Sequence, residues 1–244
     1  MTQSLENKVA LIVGAGDFLG SAIGRRFAQE GYHVVGTRRR GDLATFVDPV
    51  IASGGQASGI YSDARDEEQV ISLFDEIETT VGPVDVVVFN VGGNVKFSLL
   101  ETTVRVYSKV WQMCALAGFL VGREAARRMV PLQRGSILFT GATASIRGVA
   151  GFSAFAGGKH ALRALAQSMA RELGPQGIHV GHVVIDGVID TDATRELFPD
   201  WFDQRPDDAI LKPEQLADIY WMLHMQPRSA WSFEIDVRSY LESW

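Results

Sequence analysis

Short runs rich in β-branched residues alternate with longer helical patterns from one end of this chain to the other, and that alternation restricts the fold more than any other feature. Strand runs fall at 9–13, 33–37, 59–61, 84–89, 136–140, 178–185 and 233–237, with helical periodicity near 20–30, 41–52, 66–81, 101–129, 153–173 and 213–224. The run 84–89 (VDVVVF) is apolar on both faces, as suits a central parallel strand with helices above and below it. Successive βα units joined by right-handed crossovers predict an α/β fold, a single-domain Rossmann-type doubly wound parallel sheet of about seven strands with helices on both faces. No linker, low-complexity run or repeat divides the 244 residues, and 46% hydrophobic residues is ample for one large core, so one domain over 1–244 is expected. Ligands on such sheets sit beyond the carboxyl ends of the strands, near the point where strand order reverses.

Charge and cysteine content narrow the function. A net charge of −6 argues against nucleic acid or an anionic membrane as the main partner. One cysteine, Cys114, excludes an internal disulfide and a cysteine-based metal cluster, and no metal is expected. The opening MTQSLENK lacks the basic and apolar regions of a signal peptide, and no apolar run approaches a membrane span. The expectation is a soluble cytoplasmic protein.

The first strand runs straight into Gly14-Ala15-Gly16-Asp17-Phe18-Leu19-Gly20 and then a helix. Glycines there permit positive φ and let the backbone approach a pyrophosphate, whose charge meets the helix N-terminus. Placed after strand one and opening helix one, the motif points to nucleotide binding; a tight turn without a ligand is the plainer alternative. Asp17 would repel a pyrophosphate, and its expected role is N-cap or first-turn residue of the helix. Strand two ends in Arg38-Arg39-Arg40, where NAD-binding proteins usually carry an acid. An arginine there accepts a 2′-phosphate, so NADP(H) is favoured over NAD(H). A solvated basic turn is the alternative.

With these pieces placed, the chain resembles the short-chain dehydrogenase/reductase family over nearly its whole length. The family's glycine-rich turn is matched at Gly14 and Gly20, with Phe18 at the middle glycine. Its adenine-contacting aspartate is matched by Asp63, and its Asn-Asn-Ala-Gly signature by Asn90-Val91-Gly92-Gly93. The Tyr-x-x-x-Lys motif reads Phe155-Ala156-Gly157-Gly158-Lys159, and the Pro-Gly segment reads Asp186-Gly187, followed by Thr191. The resemblance implies a cofactor site formed by Gly14, Gly16, Phe18, Leu19, Gly20, Arg38, Arg39, Asp63, Asn90, Gly92, Lys159, Gly187 and Thr191.

The resemblance also exposes what is missing. In the family a tyrosine is the general acid/base, a lysine lowers its pKa and binds the nicotinamide ribose, a serine positions the carbonyl, and an asparagine holds a relay water. Those positions correspond here to Phe155, Lys159, Ala142 and Cys114, and only the lysine survives. A positioned proton donor contributes about 10²–10⁴ in rate, and a phenyl ring can neither donate nor accept that proton. No tyrosine lies between Tyr107 and Tyr220, so a shift of alignment does not restore one. The pattern looks like a divergent subgroup with phenylalanine for tyrosine. Thr143 is a possible substitute donor; Ser145, Ser153, His160, His182 and Asp186 have plainer readings, Ser153 as a helix N-cap.

Gly157 and Gly158 each cost about 1 kcal/mol inside a helix, which close approach of another backbone would offset. The family's helical interface at this place implies a homodimer or homotetramer. Residues 191–212 occupy the position of the family's substrate lid, with Phe198, Trp201 and Phe202 either covering a substrate or seating the lid on the body. The segment 231–244 reads as a last strand plus a tail. Two classes of function remain: an NADP(H)-dependent oxidoreductase acting on a small molecule that needs no strong proton donor, or a catalytically inactive nucleotide-binding, sensing or scaffold protein.

Overall fold

The computed structural model describes residues 8–197 and 199–243. Seven parallel strands stand in the order β3-β2-β1-β4-β5-β6-β7. They are β1 (Val9–Val13), β2 (His33–Arg38), β3 (Gln56–Tyr61), β4 (Val84–Phe89), β5 (Ser136–Thr140), β6 (His179–Asp186) and β7 (Glu234–Arg238). The helices are α1 (Leu19–Gln29), α2 (Ala44–Ala52), α3 (Glu67–Thr80), α4 (Val104–Trp111), α5 (Ala117–Met129), α6 (Ser153–Leu173), α7 (Asp192–Leu197), α8 (Pro199–Asp203) and α9 (Pro213–His224).

Alternation along β1 assigns its side chains to two apolar layers. Val9, Leu11 and Val13 pack with Phe74 of α3, Val121 of α5 and Leu162 of α6. Ala10 and Ile12 pack with Ile23 of α1, Phe46 of α2 and Tyr220 of α9. In β4 the register slips beside Val9, skipping Asp85, whose carboxylate accepts from the Val9 amide at 3.2 Å. The slip sends Val84, Val87 and Phe89 to one layer and Val86 and Val88 to the other. The one acid of the VDVVVF run is thus the residue set aside at the bulge. Strand order reverses between β1 and β4, so the loops that follow them diverge and open a crevice.

Some boundaries differ from expectation. β3 begins at Gln56 rather than 59, because it is a half-exposed edge strand whose small and polar residues carry little apolar signal. The stretch 101–129 is not one helix. It starts after Thr103, whose hydroxyl accepts from the Val106 amide, and a π-helical turn, Gln112–Leu116, separates α4 from α5. One widened turn leaves the apolar periodicity nearly unchanged, so the sequence hides it. Ser153 is the first residue of α6 and not its cap: the Ala156 amide closes the first turn on the Phe152 carbonyl at 2.8 Å, and Ser153 Oγ is buried without a hydrogen-bond partner.

In the segment 191–212 Phe202 is buried, with the Arg195 guanidinium 5.1 Å over its ring. Phe198 and the Trp201 side chain lie outside the described residues. No helix among the described residues is long and apolar enough to cross a membrane.

Candidate active site

The floor of the crevice is the turn after β1. Gly14 has φ +87°, and a Cβ there would stand 2.8 Å from the Asn90 carbonyl oxygen. A Cβ on Gly20 would stand 2.6 Å from the Gly14 carbonyl. Both are glycine because backbone passes against backbone. Gly16 is different, since a Cβ there would meet nothing within 4 Å. Asn90 ties the two loops together: its amide donates to Val13 O at 2.8 Å and its Nδ2 to Gly14 O at 3.2 Å. Phe18 holds the N-cap position of α1 and Leu19 its first turn, with no side chain capping the helix and no acid in that turn. The Ser21 amide bonds the Gly16 carbonyl at 2.9 Å, while no side chain caps the rest of the first turn, the arrangement from which an anion cradle is made.

Asp17 does not cap α1, contrary to expectation. Its carboxylate turns to the end of β2, where Oδ1 accepts from Thr45 Oγ1 at 2.5 Å and Arg38 Nη1 at 2.9 Å. A full guanidinium and a hydroxyl stabilise the anion more than the partial charge of a helix end. Those hydrogen bonds, Thr45's first, hold Asp17 below the usual carboxylate range. Asp63 is likewise engaged: Arg65 donates to it through Nε at 2.8 Å and Nη2 at 2.5 Å, while Arg39 Nη1 stands 3.8 Å away. The Arg65 hydrogen bonds hold the Asp63 carboxyl low.

At the other end of the crevice α6 presents Lys159, which is buried. Its Nζ donates to Thr140 O at 2.7 Å and to Val91 O at 3.2 Å, and lies 5.9 Å from the centroid of the Phe155 ring. Burial pushes the ammonium's pKa down, with the neighbouring Cys114 thiol opposing. Cys114, in the π-helical turn, is buried, and burial pushes its thiol up. Phe155 packs with Val110, Cys114 and Ala154 in a small apolar cluster. Gly92 faces the Lys159 stem, a Cβ there standing 3.9 Å from Nζ.

The two helical glycines meet α4 and the π-helical turn, largely through side chains rather than the backbone anticipated. A Cβ at Gly157 would lie 2.8 Å from Tyr107 Oη, and one at Gly158 would lie 3.0 Å from Cys114 Cβ and 3.4 Å from Val110 O. Each glycine makes room for a specific neighbour.

The loop after β5 carries Ala142 and Thr143. Ser145 Oγ accepts from the Ala142 amide at 3.1 Å, which shapes the loop. Thr143 donates its hydroxyl proton to Asp186, a buried carboxylate that also meets Arg238 Nη1 at 3.2 Å and Arg147 Nη2 at 3.3 Å. With its single proton committed, Thr143 has only lone pairs left for another partner in this arrangement. Arg147 and Arg238 were not anticipated here; their contacts bridge loop, strand and tail with no local signal. Gly187 (φ +145°) turns the chain after β6, and the Thr191 hydroxyl accepts from the Thr194 amide at 3.1 Å, starting α7. His160 is exposed and its Nδ1 pairs with Ala156 O of its own helix at 2.9 Å. His182 is buried, 3.0 Å from Glu234 Oε2, and burial pulls its pKa down to about 4.

Comparison with known proteins places this geometry. A sequence-family profile described as short chain dehydrogenase matches residues 8–201. The crystal structure of a short-chain dehydrogenase from Rhodopseudomonas palustris is similar with a TM-score of 0.82 and 44% identity, covering 96% of this chain and 100% of that one. The short chain aldehyde dehydrogenase 1 of Euphorbia lathyris is 29% identical over 190 residues, 77% of this chain and 66% of that protein. An uncharacterized oxidoreductase of Bacillus subtilis (strain 168), YuxG, is 32% identical over 217 residues, which is 87% of this chain and 31% of that longer protein.

Proposed function

This chain belongs to the short-chain dehydrogenase/reductase family of oxidoreductases, and from that premise we propose that it binds NADP(H) and serves substrates that need no tyrosine acid. The observation that carries the reading is Lys159: a buried ammonium held by two backbone carbonyls, beside a phenyl ring where the family's tyrosine would stand. The chain's residues fit a dinucleotide. The N-terminus of α1 lacks a side-chain cap, and the space over Gly16 is open.

In this reading the amides around Gly16, Phe18, Leu19 and Gly20 hold the pyrophosphate, Arg38 and Arg39 the 2′-phosphate, and Asp63 the adenine. Asn90 braces the two loops, and Gly92, Gly187 and Thr191 border the nicotinamide half. Lys159 donates to ribose hydroxyls. When bound, the dinucleotide supplies or accepts a hydride. Phe155 and Ala142 hold no proton for an alkoxide, the Cys114 thiol is a weak donor that burial keeps protonated, and Thr143 has given its own to Asp186. Suitable acceptors are iminium ions, whose reduction neutralises an existing charge, and conjugated alkenes, for which water supplies the proton. Residues 191–212 act as the lid. The commitment of Thr143 equally favours a second reading, a nucleotide-binding or sensing protein without turnover.

Titration with NADPH and NADH, then turnover against carbonyl, imine and enone panels, separates the two. Gly16→Ala and Gly20→Ala sharpen the binding result. Gly16→Ala should leave thermal stability unchanged and weaken the dinucleotide, whereas Gly20→Ala should lower stability by driving a methyl into the Gly14 carbonyl. If Gly16→Ala left dinucleotide affinity intact, the cofactor site would have to be sought elsewhere.

A further inference from the structure

We propose that Asp17 is a specificity-determining residue that opposes the 2′-phosphate: with Thr45 it clasps the Arg38 guanidinium, and a 2′-phosphorylated nucleotide binds by displacing the Asp17 carboxylate. The inference rests on the reading that Arg38 is the 2′-phosphate ligand.

The clasp is a closed triangle. Arg38 Nη1 donates to Asp17 Oδ1 at 2.9 Å, Arg38 Nη2 donates to Thr45 Oγ1 at 2.5 Å, and Thr45 Oγ1 meets Asp17 Oδ1 at 2.5 Å. Its members differ in freedom. The Arg38 side chain is 14% exposed and Asp17 is 54% exposed. The arginine is also penned in by the following turn: a Cβ on Gly41, whose φ is +94°, would lie 3.4 Å from Arg38 Nη1. Tyr61 steadies that turn by donating to Gly41 O at 2.9 Å. The guanidinium is therefore already in place, with its charge masked, while the carboxylate can swing into solvent.

A phosphomonoester near neutral pH carries a charge of about −1.5 to −2 and three acceptor oxygens, against one charge on a carboxylate. It can win the guanidinium from Asp17, but only by breaking the charge-assisted hydrogen bond that the carboxylate already accepts from Arg38. NADH has a hydroxyl at the 2′ position and leaves the clasp shut. Asp17 therefore taxes the phosphorylated cofactor selectively.

The test is a set of fluorescence titrations with NADPH and NADH on the full chain and on Asp17→Asn, Asp17→Ser, Arg38→Ala and the Asp17→Asn/Arg38→Ala double variant, with circular dichroism as the folding control. Asp17→Asn and Asp17→Ser should each tighten NADPH by about tenfold and move NADH by less than about twofold, as expected for loss of one charge competing for a charge-assisted bond. That gain should vanish in the Arg38→Ala background. Unchanged NADPH affinity in both Asp17 variants, with Arg38→Ala still weakening NADPH, overturns the clasp and leaves the Arg38 reading standing. Unchanged NADPH affinity in Arg38→Ala overturns that reading instead. A selective loss of NADH in the Asp17 variants overturns the inference in favour of Asp17 as a ribose ligand. A gain that persists without Arg38 also overturns the clasp, because Asp17 would then repel the phosphate directly.

Discussion

Arg38 and Lys159 stand at the two ends of the same crevice, and the protein holds them in opposite ways. Arg38, largely covered itself, is answered by an exposed carboxylate and a hydroxyl. Lys159, buried on α6, bonds the Thr140 and Val91 carbonyls. Screened ion pairs at a surface are worth little, so the Arg38 clasp can be exchanged for a ligand at small cost to the fold. A buried ammonium is costly even where carbonyl oxygens offset part of the lost hydration, and burial favours its neutral form. On the proposed reading, the difference separates a corner where an anionic ligand exchanges with a carboxylate from a corner that holds one cation fixed against an apolar wall. With these positions aligned as the sequence resemblance aligns them, the wall is where the proposed site departs from the family pattern: Phe155, Ala142 and Cys114 place carbon and sulfur where hydroxyls and an amide are expected.

The largest effect should come from refilling that wall. Phe155→Tyr alone should add little ketone reduction with NADPH, because groups that act as a unit give non-additive effects. Together with Ala142→Ser and Cys114→Asn it should recover part of the roughly 10²–10⁴ that a positioned proton donor supplies. Ordinary ketone turnover by the single variant would show that serine and asparagine are dispensable here.

Next in size is Lys159→Ala, which should weaken NADPH by about ten- to a hundredfold, the worth of a charge-assisted hydrogen bond of roughly 1.5–3 kcal/mol. Turnover at saturating cofactor should fall only modestly. Collapse of turnover with binding intact would make Lys159 the proton donor. An unchanged dissociation constant would make it a structural lysine.

A smaller effect is expected in stability against pH. Burial places the folded pKa of Lys159 below its ordinary value of 10.5. In the window between the lowered value and 10.5 the unfolded chain binds more protons, so this group makes stability rise with pH. Below the window the full penalty of the buried charge is present. The wild type should therefore gain on Lys159→Met in melting temperature as pH climbs from neutral toward that limit. Parallel curves would mean that the ammonium is solvated.

The smallest effect belongs to the other cation. Arg38→Ala should change thermal stability by no more than about 0.5 kcal/mol, since the pair it breaks is near the surface. A large loss would show that the clasp supports the fold and is not available for exchange with a ligand.

Much of this protein was legible along the chain. The strand runs 9–13, 84–89 and 136–140 and the helices 153–173 and 213–224 coincide with β1, β4, β5, α6 and α9. Burial on both faces imprints continuous apolar runs, and burial on one face imprints a helical period. The glycine turn was legible for a related reason: Gly14 and Gly20 stand where no Cβ fits, and position alone marks them. Edge strand β3 and the π-helical turn were poorly marked, because exposure and a single extra residue leave the period almost intact.

The side-chain pairings were decided only by tertiary structure. Asp17 meets Arg38, 21 positions away, in place of the helix it precedes; Thr143 gives its proton to Asp186, 43 positions away; Lys159 reaches Val91 across 68. Local preference names the capping role a short polar residue takes when nothing stronger is near. Folding of the sheet brings a guanidinium or a buried carboxylate within hydrogen-bond reach, and a full charge at that range outweighs the partial charge of a helix end.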